Sequence, residues 1–151
     1  SQKFGAYLPV LFRRAGYLGW NKFIMNATLF FAVAAGGAFG AILRYATLLF
    51  VTKYSDMPSY FATLFVNITG SFAAGCIVAV VSSTMSFPEP VRVFIMVGLL
   101  GSLTTFSTFS LDSYILFQRQ DFAILAIYIG ASVIVSICFF ALGFWALKIG
   151  E

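Results

Sequence analysis

The chain has 151 residues, 61% of them hydrophobic and 9% charged, against roughly 45–50% and about 25% in an ordinary soluble domain. Even a domain of about 150 residues leaves roughly a third of its surface in water, so this composition excludes a soluble protein; lipid is the solvent these side chains require, and the mean hydropathy of +0.98 agrees. Net charge is +4, but the Lys and Arg residues are scattered at segment ends instead of forming a basic run, so no nucleic-acid partner is expected.

Residues 1–22 come first and stand apart. Phe4, Tyr7, Leu8, Leu11, Phe12, Ala15 and Leu18 recur at intervals of three and four, with Lys3, Arg13 and Arg14 between them. The spacing fits an amphipathic helix lying in the membrane interface, while Gly5, Pro9, Gly16 and Gly19 fit a frayed extension. A cleaved signal peptide is not expected, because the apolar stretch is short and interrupted by Arg13 and Arg14.

Residues 23–151 read as one membrane domain. Charge-free stretches run over Ile24–Leu43 (20 residues), Met57–Pro88 (32), Val93–Leu111 (19) and Phe122–Leu147 (26), each near or beyond the ~20 needed to cross a hydrocarbon core. Four transmembrane helices are predicted, giving an all-α integral membrane fold. Pro58 and Pro90 stand where the first turn of a helix tolerates a missing N–H. Both termini then share one side, which holds six Lys and Arg (Lys3, Arg13, Arg14, Lys22, Arg92, Lys148) against three on the other (Arg44, Lys53, Arg119). Without the first 21 residues the balance is three against three, which reads either as a weak topological signal or as insertion in both orientations.

In lipid the informative residues are polar, since each needs a partner, a water-filled cavity or a function. Thr63, Asn67, Ser71 and Gly75 recur every four residues on the second span, and Tyr128, Ser132 and Ser136 do so on the fourth. Helix packing accounts for an isolated serine; two parallel stripes with a buried amide and no carboxylate between them point instead to a lined pathway. Its donors are neutral, and neutral donors replace the water shell of an anion without trapping it. The third span, Gly98 to Ser110, puts two glycines and six hydroxyl residues at mid-membrane. A broken helix is expected near Gly101–Thr105, where unwound backbone is tolerated only if buried in protein or satisfied by water or a cation. Beyond the break, Phe106 and Phe109 share a face and could present electropositive ring edges to an anion. Asp112 and Arg44 lie late on two spans that run the same way, so they are expected to form a structural ion pair. Cys76 and Cys138 sit in apolar runs and read as packing residues. With no histidine, there is no Ser-His or Cys-His nucleophile pair and no enzyme is expected.

The blocks Gly36-Gly37-Ala38-Phe39-Gly40-Ala41-Ile42-Leu43-Arg44-Tyr45, Thr63-Leu64-Phe65-Val66-Asn67-Ile68-Thr69-Gly70 and Gly98 to Ser110, with its Thr-Thr-Phe-Ser-Thr-Phe core, resemble the Fluc (CrcB) fluoride channel family over about residues 24–149. The resemblance implies an antiparallel, dual-topology homodimer in the cytoplasmic membrane of a prokaryote, with two pores that export fluoride passively and protect the cell. It implies that Asn67 donates to fluoride near a pore mouth, that Phe106 and Phe109 are the pore phenylalanines, and that Tyr128, Ser132 and Ser136 form a polar track. It further implies one central structural sodium ion held by backbone carbonyls of Gly101 and Thr104 from both subunits. Where the family usually carries Glu three residues after the second pore phenylalanine, this chain has Asp112. A small proton-coupled multidrug exporter would need a carboxylate on the first span, and Ile24–Leu43 has none. A non-transporting membrane subunit would differ by carrying no flux.

Overall fold

The computed structural model describes residues 27–83 and 87–148; the helix expected within residues 1–22 lies outside them. Four helical segments are long and apolar enough to cross a membrane, and together they make an all-helical multi-pass protein. The first, α1 (Ala27–Tyr54), has 28 residues and is about 42 Å long at 1.5 Å per residue. It therefore continues well past Leu43, where the charge-free stretch ends, and carries Arg44 ten residues inside its C-terminus. A charged residue marks the limit of an apolar run but does not end a helix; only the turn chemistry after Tyr54 does. Asp56 there takes a left-handed backbone conformation (φ 48°), and Pro58 follows with its carbonyl accepting the Phe61 N–H at 3.1 Å. That starts α2 (Tyr60–Ser83).

The third span has four parts. A short α3 (Glu89–Val93), with Pro90 in its first turn, runs into a seven-residue π-helical stretch, Phe94–Leu100, and then into α4 (Gly101–Leu103). Thr104 (φ −78°, ψ 152°) and Thr105 (φ −151°, ψ 123°) are extended, and α5 (Phe106–Gln118) starts anew with Thr105 as its N-cap. Gly101 itself is helical, at φ −64° and ψ −29°. Nothing in the hydropathy pattern marked the π-helical stretch, because widening a turn does not change which residues are apolar. At the far end of α5, Gln120 (φ 60°) is left-handed. Its N–H donates to Phe117 O at 3.0 Å and that of Asp121 to Leu116 O at 3.1 Å, which closes the helix as a Schellman turn. The chain then reverses into α6 (Phe122–Lys148).

These helices pack as two pairs. α1 lies chiefly on the first half of the third span, and α2 on α6. Both crossings are made backbone to backbone. A methyl group on Gly36 would overlap the Phe94 carbonyl oxygen, and one on Gly40 that of Leu99; one on Gly75 would overlap the Phe140 oxygen, and one on Gly143 that of Phe72. Close approach of this kind is how helices associate in lipid, where burying apolar surface against a neighbour gains little over burying it in acyl chains. The outer surface is accordingly apolar, with Phe31, Ile127 and Ile137 among its exposed side chains. The interior holds Val66 and Ala62, but also Thr63, Thr105, Asp112 and Ser132, the reverse of a soluble protein's arrangement.

Gly75→Leu should push α2 and α6 apart, since the obstructing atom is backbone and cannot rotate away. The expected loss is about 1–3 kcal/mol, read as a lower thermal midpoint in detergent, and Gly143→Leu should reproduce it.

Candidate functional site

A cleft of about 560 Å³ opens on one side of the molecule between α2, the third span and α6. Asn67 and Ser71 line it from α2, Gly101 and Thr104 from the end of α4, Phe106 and Phe109 from the first turn of α5, and Ser132 and Ser136 from α6. The four-residue period on α2 and on α6 brings these groups to facing surfaces. Phe106 is 78% exposed within the single chain, so its ring stands in the open part of the cleft. The Oγ atoms of Ser132 and Ser136 are buried without a well-formed hydrogen bond among the described residues, Ser132 lying next to the Tyr128 hydroxyl, so both hydroxyls retain donor capacity beside the cleft.

Among the described residues Asn67 has two partners, both on the backbone of Thr105. The Thr105 N–H donates to Asn67 Oδ1 at 2.8 Å, and Asn67 Nδ2 donates to Thr105 O at 3.1 Å. This reciprocal pair fixes which end of the amide is which, because a flipped side chain would set N–H against N–H and oxygen against oxygen. One Nδ2 hydrogen is used in it. The second has no partner among the described residues, and Asn67 lines the cleft. Thr105, which the sequence presented only as one hydroxyl among six, is 9% exposed and uses all its polar groups. Its Oγ1 accepts the Thr108 N–H at 3.2 Å and also lies 3.2 Å from the hydroxyls of Ser107 and Thr108.

Tyr128 does not line the cleft. It continues from it: the rings of Phe106 and Phe109 lie 5.4 Å apart, those of Phe109 and Tyr128 5.4 Å, and those of Tyr128 and Tyr60 5.6 Å, centroid to centroid. Within this row the Tyr128 hydroxyl donates to Asp112 Oδ2 at 3.1 Å, and the Thr63 hydroxyl donates to the same oxygen at 2.7 Å. The expected Arg44–Asp112 ion pair is therefore corrected. Asp112 is 6% exposed and held by two hydroxyls, which are short, rigidly placed donors on α2 and α6. Arg44 lines a second cleft of about 420 Å³ between α1, α2 and α5, together with Thr63, Ser107 and Thr108. The α2 stripe thus divides by depth: Thr63 supports a carboxylate, Asn67 and Ser71 face the cleft, and Gly75 packs on α6.

Whether Gly101 and Thr104 suit a sodium ion is a question of donor type. Both border the cleft, both offer carbonyl oxygens, and hard cations take oxygen ligands. Among the described residues no group of three or more Asp, Glu, Cys or His side chains could hold a metal, so backbone oxygen is the donor set that fits.

The CrcB-like protein, camphor resistance (CrcB) family matches residues 31–144. The chain is 40% identical over 113 residues to the fluoride-specific ion channel FluC of Nitrobacter winogradskyi, covering 75% of this chain and 90% of that protein. It is 36% identical over 126 residues to the FluC channel of Campylobacter fetus, 83% of this chain and 98% of that one. With the FluC channel of Agrobacterium fabrum it shares 41% over 105 residues, 70% and 84% of the two chains. The match takes in α2 to α5 whole and most of α1 and α6, including the cleft and the extended pair at Thr104 and Thr105, and the chain belongs to the CrcB family.

Proposed function

We propose that the protein is a fluoride-selective channel of the plasma membrane, through which fluoride leaves the cell passively and its toxicity is limited. The observation that carries this reading is the chemistry of the cleft: an amide hydrogen, two buried hydroxyls without a well-formed hydrogen bond among the described residues and a pair of phenylalanine rings, with no formal positive side-chain charge among its lining residues. Neutral donors take the place of water around an anion while leaving it free to depart, and ring edges add a weak positive potential without a bond to break. Fluoride is the smallest and most strongly hydrated halide, so a narrow file of such groups favours it over chloride. In this reading Asn67 receives the ion, Phe106 and Phe109 line its way, and Tyr128, Ser132 and Ser136 form the polar track. The relatives' names as fluoride-specific ion channels support the same substrate.

The assembly that goes with this reading is an antiparallel homodimer of dual topology, in which a second copy closes the open side of the cleft. The exposure of Phe106 in a single chain supports it, since a pore phenylalanine facing lipid would have no ion to meet. Carbonyl oxygens of Gly101 and Thr104 from both copies would hold one sodium ion, which supplies a positive charge close to two anion routes without a basic side chain in either.

Purified protein in liposomes should release fluoride rapidly and chloride far more slowly; equal rates for the two halides would overturn the selectivity. Asn67→Asp should reduce fluoride efflux at neutral pH by at least about tenfold, because a carboxylate offers the ion no donor and repels it. Efflux at the wild-type rate would mean that Asn67 only packs.

A further inference from the structure

In an unbroken α-helix each carbonyl accepts the N–H four residues later. Gly101 O would therefore receive the Thr105 N–H, and Thr104 O that of Thr108. Here both amides are engaged by side chains: Thr105 N–H by Asn67 Oδ1 at 2.8 Å, and Thr108 N–H by Thr105 Oγ1 at 3.2 Å. The break leaves the carbonyls from Gly101 to Thr104 without their helical donors, and of these four residues Gly101 and Thr104 border the cleft, whereas Ser102 and Leu103 do not line it.

We infer that Asn67 and Thr105 are positioning residues for a cation site, their side chains fixing the extended backbone at Thr104 and Thr105 and so keeping the amides of Thr105 and Thr108 off the oxygens of Gly101 and Thr104. This rests on the reading that those oxygens bind sodium, and adds what makes them available. Asn67 then has two jobs on opposite ends of one amide group. Its oxygen releases a cation ligand, and its spare N–H serves the anion cleft. Thr105 is already bonded at its own N–H and C=O, so the chain is held extended and its hydroxyl is held over the first turn of α5. Without that hydroxyl the Thr108 N–H loses its cap and the extended pair is released at its α5 end; a return toward helix, in which the Thr108 N–H takes Thr104 O, then competes with sodium.

The test is the thermal midpoint of the purified full chain in detergent, titrated with sodium chloride against N-methylglucamine chloride at constant ionic strength. Wild-type protein should be stabilised by sodium with a definite half-saturating concentration. Thr105→Val should raise that concentration about tenfold, by loss of a cap of ordinary strength, while Thr105→Ser, which keeps the hydroxyl, should stay within about twofold. A second pair tests the claim without altering Thr105. Asn67→Asp keeps an oxygen for the Thr105 N–H and should retain the sodium response even as fluoride efflux falls, whereas Asn67→Leu should lose both. A wild-type midpoint indifferent to sodium would overturn the sodium reading itself. A wild-type response shared in full by Thr105→Val, or by Asn67→Leu, would leave sodium in place and overturn the positioning role; so would a Thr105→Ser shift as large as that of Thr105→Val.

Discussion

The reciprocal hydrogen bonds between the Asn67 amide and the Thr105 backbone are the contact on which the site depends. Two extended residues in the middle of a membrane span expose N–H and C=O groups where no water competes for them, and each such group left unmade is worth several kcal/mol. A primary amide is the side chain that can answer one donor and one acceptor of the same residue at once. It does so from α2, so the break in the third span is tied to the helix that also carries Ser71 and Thr63. Thr105 completes the arrangement from within the third span by capping α5, and the two halves of the span are held in a fixed relation despite the gap between them.

Around that tie the protein is organised by polarity in a way lipid permits. Hydroxyls and one carboxylate lie inside, and large apolar side chains lie outside. Asp112 is the informative case. A buried carboxylate needs donors, and it has the hydroxyls of Thr63 and Tyr128 on one oxygen. Those donors come from α2 and α6, the pair that the Gly75 and Gly143 crossing holds together. Placement of the carboxylate, the aromatic row leading to it and the serines of α6 therefore share one framework.

Much of this was legible from residue type and spacing. The four spans followed from length and hydropathy, because the membrane imposes both. The facing stripes on α2 and α6 followed from a period of four, and Asn67, Ser132, Ser136, Phe106 and Phe109 do meet in one cleft. Glycines and hydroxyls pointed to Gly101–Thr105, whereas the backbone leaves the helix only at Thr104 and Thr105; composition signals tolerance of a break, and the side chain opposite decides where it falls. Depth alone suggested Arg44 for Asp112, and depth is a poor guide to partners, since it says nothing of which donors the neighbouring helices bring within reach. The role of Thr105 was hidden because a cap is recognised by the amide it receives, and that amide is visible only once the chain has turned. The π-helical stretch left no sequence signal.

The glycine crossings have a mechanical consequence. Where backbone meets backbone there is no layer of flexible side chains to compress, so α2 and α6 cannot slide past one another by the small repacking that softer helix pairs allow. Stretching or thinning of the surrounding bilayer must then be taken up by tilting the pair as one stiff strut. The distance between the stripe on α2 and the stripe on α6, which sets the width available between Asn67 and Ser132, is thereby insulated from the thickness of the membrane in which the protein sits.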